Sequence, residues 1–229
     1  KKITLPYFAY FPTFYTLELG MSDVMNYAID GGTGKKDGTL QPDLTSSNLF
    51  KLGIKTVLDS LQNRGAKGIM ANIPYVLDFP YFRKIEYNAL DIDAAKAAEL
   101  NTRYAAQGLT FSAGKNPFVI NDNGTIRQMV STEFITLKTP VDSLKCADWG
   151  ASVPIEDLYI LTWGEIALID SYTEIYNNLL MQEAGVRGIT VLDLKDFFHQ
   201  LKAGMTVNGI ELSTEFVKGG FFSLDGLHP

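Results

Sequence analysis

Apolar and polar positions alternate along this chain with two distinct periods. Phe14-Tyr15-Thr16-Leu17-Glu18-Leu19 is a run of aromatic, β-branched and aliphatic residues closed by Gly20, which predicts a strand buried on at least one face. Ser46 and Ser47 then offer N-caps to a helix with Leu49, Phe50, Ile54, Val57, Leu58 and Leu61 on one stripe, and Gly65 is its natural stop. Lys67 to Ile73, with Ile69, Met70, Ala71 and Ile73 apolar and Pro74 closing it, predicts a second strand. Strand, amphipathic helix and strand in that order form a right-handed βαβ unit, so the two strands should run parallel.

A second unit follows near the C-terminus. Thr162-Trp163-Gly164-Glu165 has capping-box spacing. Behind it, Ile166, Ile169, Tyr172, Ile175, Tyr176, Leu179 and Leu180 recur at helical intervals, with Gly185 and Gly188 bracketing the end. Ile189-Thr190-Val191-Leu192-Asp193-Leu194 is the strongest strand pattern in the chain. Its scarcity of charge predicts a parallel strand covered by helices on both faces. Asp196 to Lys202 reads as a short helix ending at Gly204.

Between the units, Tyr75 to Val153 is too long for a simple connection and has signals of its own. Asp91 or Asp93 can cap an Ala-rich helix running to Gly108. Phe118-Val119-Ile120 and Ile126 to Val130 flank Asn123-Gly124, the strongest short hairpin signal. The expectation is one α/β domain over 1–229, with a helix-plus-hairpin insertion at about 75–153.

Composition narrows the class. Residues are 46% hydrophobic and 20% charged, which excludes disorder as the main state. The formal net charge of −6 argues against nucleic acid as a partner. A single cysteine, Cys146, excludes an internal disulfide and a thiolate zinc site. The longest uncharged stretch near the start, Ile3 to Leu17, holds Pro6 and Pro12 and falls short of the about 20 residues of a membrane span. No small-residue cleavage site follows it, so it does not read as a signal peptide. There is no initiator Met, and the chain stops at His228-Pro229, so both ends read as cut.

Candidate chemistry lies near both ends. In Ser223-Leu224-Asp225-Gly226-Leu227-His228-Pro229 a carboxylate precedes a histidine by three residues. Asp225 can therefore fix the tautomer of His228, although such a pair at a terminus is often surface decoration. The other histidine, His199, reads as exposed or at the core edge. Leu19-Gly20-Met21-Ser22-Asp23-Val24 follows directly on a strand, where open α/β sheets bind ligands. On local grounds it reads first as a turn and helix start with Ser22 or Asp23 as N-cap. Asn72 could line a site or serve a turn. Phe79, Tyr81, Phe82 and Trp163 could form an acyl or sugar groove or pack in the core, and Cys146 reads as small and buried or semi-exposed. Asp23, Asp225 and His228 are too few to favour a metal, so neither metal nor cofactor is expected.

Taken in order, these motifs resemble the SGNH (GDSL-type) serine esterases and lipases, in particular the secreted branch common in Bacteroidetes-like bacteria. Gly20-Met21-Ser22-Asp23 stands where that family has its third block, G-x-N-D, and Ser223 to Pro229 matches its fifth, D-x-x-H. Gly68-Ile69-Met70-Ala71-Asn72-Ile73-Pro74 and Pro154-Ile155-Glu156-Asp157 add to the likeness, which runs from about Phe11 to Pro229. The resemblance implies a flavodoxin-like α/β/α sandwich and hydrolysis of a small ester, lipid or acylated glycan through an acyl-enzyme, outside the cytoplasm. It implies His228 as general base, Asp225 as its orienting partner, and Gly20 and Ser22 at the oxyanion.

The chain departs from the family twice. Ser22 replaces the family's Asn, and a freely rotating O–H is a poorer fixed donor than a side-chain amide; losing such a donor costs about 10²–10³ in turnover. The G-D-S block carrying the nucleophile would precede Lys1. Ser22 is a poor substitute nucleophile, because an elbow wants a second Gly where Asp23-Val24 stand. The alternative is a degenerate member that binds glycan or lipid at the cell surface. In a 2-1-3-4-5 sheet, loss of the first two strands leaves Phe14–Leu19 at an edge, to be covered by an N-terminal segment, a second copy, or a rearranged insertion.

Overall fold

The computed structural model describes residues 12–63 and 65–228, so Ile3 to Phe11 and Pro229, named above, lie outside the described residues. The chain runs β1 (Phe14–Glu18), α1 (Met21–Ile29), α2 (Ser47–Gln62), β2 (Lys67–Ala71), α3 (Pro80–Arg83), β3 (Leu90–Ile92) and α4 (Ala94–Arg103). It continues through β4 (Gly114–Asn116), β5 (Val119–Asp122), β6 (Thr125–Gln128), β7 (Phe134–Ile135), α5 (Val141–Cys146), β8 (Ile155–Glu156) and β9 (Ile160–Leu161). The last elements are α6 (Trp163–Arg187), β10 (Thr190–Leu192), α7 (Leu194–Ala203), β11 (Met205–Val207) and β12 (Ile210–Leu212).

The fold is mixed α/β, built on a three-stranded parallel sheet in the order β1-β2-β10. Phe14 pairs with Lys67 and Glu18 with Ala71, so the parallel pairing expected for the first unit is present. Helix α2 forms where its stripe predicts. Ser46 Oγ accepts the Leu49 N–H, and Phe50, Ile54, Val57, Leu58 and Leu61 are buried. Together with Tyr15, Met70 and α6 residues such as Tyr172, Tyr176 and Leu180 they form the main core. Leu49 departs from the stripe, with 48% of its surface exposed.

The last strand differs from expectation. It spans three residues, because Ile189 N–H bonds back to Ala184 and Asp193 turns out to cap α7 by accepting the Asp196 N–H. Its second face is open: Leu192 is 51% exposed, and Phe14, Thr16 and Glu18 are exposed on β1. Among the described residues β1 pairs only with β2, leaving its other edge free.

The segment between β2 and α6 builds small cores of its own. One gathers Ala97, Leu100, Tyr104, Phe111 and Val119; another Phe118, Ile120, Met129, Ile135 and Ile155. Asn123 and Gly124, both at positive φ, turn β5 into β6 as the Asn-Gly signal requires. Asp93 rather than Asp91 caps α4, which ends at Arg103 ahead of a 3₁₀ turn closed by Gly108. The segment also reaches past Val153, since Pro154-Ile155-Glu156-Asp157 leads into β8 and β9 pairs with β7.

Helix α6 is anchored at its start and runs longer than its pattern. Gly185 lies inside it, and Gly188 at φ 64° ends it. The Glu165 carboxylate accepts the Thr162 N–H at 2.7 Å and its hydroxyl at 2.8 Å. Burial pushes the Glu165 carboxyl up to about 7 against those bonds, helped by the negative Asp157 and Asp122. The folded state thus holds this proton to higher pH than the unfolded chain, whose Glu titrates near about 4.3. The stabilisation is complete below that lower value and lost as pH rises through 7. Glu165→Gln should stabilise by about 2 kcal/mol more at pH 8 than at pH 5, read from urea midpoints at both pH values.

Candidate active site

At the tip of β1 the chain has two residues, Leu19 and Gly20, in which to turn into α1. Gly20 does this at φ 95°, in the left-handed region, and itself serves as N-cap; neither Ser22 nor Asp23 does. Ser22 is therefore the second residue of α1 and exposed, while Asp23 Oδ1 accepts the Thr45 hydroxyl at 2.6 Å. A Cβ on Gly20 would stand 2.7 Å from both Ile73 Cδ1 and the Phe50 ring. Gly20→Ala should cost about 2–3 kcal/mol from backbone strain and overpacking. Gly53→Ala meets nothing within 4 Å in mid-helix and should be neutral or stabilise by up to about 1 kcal/mol. Parallel denaturant titrations of the two variants check this contrast. Beside Gly20 opens a cavity of about 320 Å³, lined among others by Leu19, Ser22, Asp23, Leu49 and Gly53.

The C-terminal loop is organised by one carboxylate. Asp225 Oδ1 accepts the Ser223 hydroxyl at 2.6 Å, the Leu227 N–H at 2.9 Å and the His228 N–H at 3.1 Å. Its Oδ2 lies 2.6 Å from His228 Nδ1. The Ser223 hydroxyl and Leu227 N–H, then the His228 contacts, hold the Asp225 carboxyl well below the usual range. Asp225 is therefore ionised at neutral pH and accepts Nδ1–H, which leaves Nε2 as the basic nitrogen on an imidazole whose side chain is 76% exposed. The loop is seated by the Tyr81 N–H bonding to Gly226 O, by Leu227 against the main core and by Phe222 on Phe79.

The segment leaving β2 serves both candidate pieces: Ile73 packs against Gly20, and Tyr81 holds Gly226. Among the described residues no hydrogen bond joins Asp225 or His228 to Gly20, Ser22 or Asp23, and neither residue lines the cavity beside Gly20.

The other candidates resolve as follows. Asn72 ties the end of β2 to the start of α7: its Nδ2 donates to Asp193 at 2.8 Å and its Oδ1 accepts the Lys195 N–H at 2.9 Å. Phe79 and Phe82 are core residues, while Trp163 is exposed at the start of α6 and lines neither cavity described here. Cys146 is exposed at the end of α5. His199 is exposed on α7 and lines a separate cavity of about 390 Å³ with Tyr75, Asp78 and Asp193. Among the described residues no three His, Cys, Asp or Glu side chains gather where a metal could be held, and no helix is long and apolar enough to cross a membrane.

Sequence reasoning missed Ser223 and Thr45. A serine two residues before an aspartate in a Gly-containing turn was the available signal for the first. Nothing local marked Thr45, which is 22 residues from Asp23. Searched against known proteins, the chain matches no family model, no curated protein and no solved structure.

Proposed function

We propose that this chain supplies the general base and its orienting carboxylate to a serine hydrolase of carboxylic esters of the SGNH (GDSL-type) kind. The observation that carries the reading is the 2.6 Å contact from Asp225 Oδ2 to His228 Nδ1, which leaves Nε2 free to accept a proton. In this reading a serine on a segment outside these 229 residues attacks the ester carbonyl, and Nε2 takes its proton. Collapse of the tetrahedral oxyanion breaks the bond to the alcohol, which leaves with that proton. Water then repeats the sequence on the acyl-enzyme. Gly20 shapes the turn that presents Ser22 to the oxyanion, and one rotating hydroxyl predicts weaker turnover than a fixed amide.

The same reading gives a purpose to the open face of the sheet and to the edge of β1 that has no partner among the described residues. In a flavodoxin-like sandwich both faces carry helices, and β1 would be an inner strand. The segment bearing the serine, or a second copy of the chain, would pair with β1. Substrates would be small esters, lipids or acylated glycans met outside the cytoplasm, without a cofactor.

Ser22 in place of Asn favours a second reading, a binder of glycan or lipid without turnover. A fluorophosphonate probe on the complete protein separates the two. Hydrolysis predicts rapid labelling of one serine, slowed at least about 10³-fold in His228→Ala; an unlabelled protein supports the binder.

A further inference from the structure

We propose that the cavity between α1 and α2 binds an unbranched aliphatic chain of about eight to ten carbons whose neutral polar head stays at Ser22. This deepens the ester reading and rests on it for the identity of the head group. Three observations carry it. The lining is mostly apolar in area, with Leu19, Phe50 and Ile54 in the wall. Leu49, on a helix stripe otherwise buried, keeps 48% of its surface free and lines the same space. Gly53, one turn on, lies on the same side of α2, and a Cβ there would meet nothing within 4 Å. An exposed leucine over a missing side chain leaves a slot in the surface of a helix.

The slot has a size and a polarity. Its 320 Å³ falls within the usual range of small-molecule sites. At about 30 Å³ per water-sized group, close to one methylene, that volume takes about ten carbons. Its polar lining comes from Ser22, Asp23, Glu18, Thr39 and Thr45. Two carboxylates would repel a fatty-acid anion, whereas a hydroxyl or ester head meets no such penalty.

Straight-chain primary alcohols from butanol to dodecanol, titrated into this chain and followed by the amide shifts around Gly53, test it without any turnover. Affinity should rise about fourfold per added CH2 and level off near ten carbons. Decanoate should bind at least tenfold more weakly than decanol. Gly53→Leu fills the slot and should weaken decanol at least tenfold, with Gly53→Ala intermediate. Gly185→Leu, at a glycine equally free of contacts on α6, should bind as the parent does. A flat chain-length series, or Gly53→Leu binding decanol like the parent while folded, overturns the proposal. Alcohol binding in a protein that fluorophosphonate leaves unlabelled removes the ester reading and keeps the slot; serine labelling with a flat alcohol series does the reverse.

Discussion

Asp225→Asn in the complete protein is expected to lower kcat for a short-chain ester by about 10⁴-fold with little change in folding. The hydrogen bonds around Asp225 decide how the amide must sit. Oδ1 receives three donors, the Ser223 hydroxyl and the Leu227 and His228 N–H groups, so the amide oxygen belongs there. That turns the NH2 group onto His228 Nδ1, where Oδ2 stands now. An amide donating to Nδ1 forces the proton onto Nε2, and an imidazole in that tautomer cannot take one from serine. The loop is exposed and keeps its backbone bonds, so the melting temperature should barely move. Steady-state kinetics beside thermal melts check this; a loss below tenfold at unchanged stability would remove Asp225 from the mechanism.

The largest expected loss of stability is at Asn177 in α6. Its Oδ1 accepts the Ile73 N–H at 2.7 Å and its Nδ2 donates to Ile73 O at 2.9 Å, both in the buried core. Asn177 thus replaces a missing strand partner for the chain leaving β2. Asn177→Leu keeps the volume but orphans two buried backbone groups, at about 1–3 kcal/mol each, for a total of about 3–5 kcal/mol. Because Ile73 packs against Gly20, the tip of β1 should loosen with it. Urea unfolding gives the first quantity, and hydrogen exchange at Gly20 and Met21 the second. A loss under about 1 kcal/mol would mean that water or a local shift satisfies Ile73.

Local chemistry was the legible part of this fold. The parallel pair, the capping box of α6, the Asn-Gly hairpin and the stripe of α2 each follow from signals within a few residues. The face of a strand was harder to read, because exposure depends on what lies across the sheet. Val191 and Leu192 are both apolar, yet only Leu192 is left open. Cap choice failed at α1, where the turn leaving β1 demands a left-handed residue and overrides the preference for Ser or Asp. Asn72 and Asn177 gave no sign of their partners, more than 100 residues away in each case.

The candidate site divides in the same way. A spacing of three residues sets Asp225 on His228, since one turn supplies every hydrogen bond involved. Where that pair would sit relative to Gly20 depended on the segment between Ile73 and Tyr81, which has no periodic pattern. The slot beside Ser22 was invisible for a related reason. It is made by a leucine that fails to be buried and a glycine with nothing above it.

Release of p-nitrophenol from a butyrate ester by the complete protein, parent against His228→Ala, tests the central assignment most directly. A fall of at least about 10³-fold with the fold unchanged is the predicted result. Equal rates in the two proteins would contradict it.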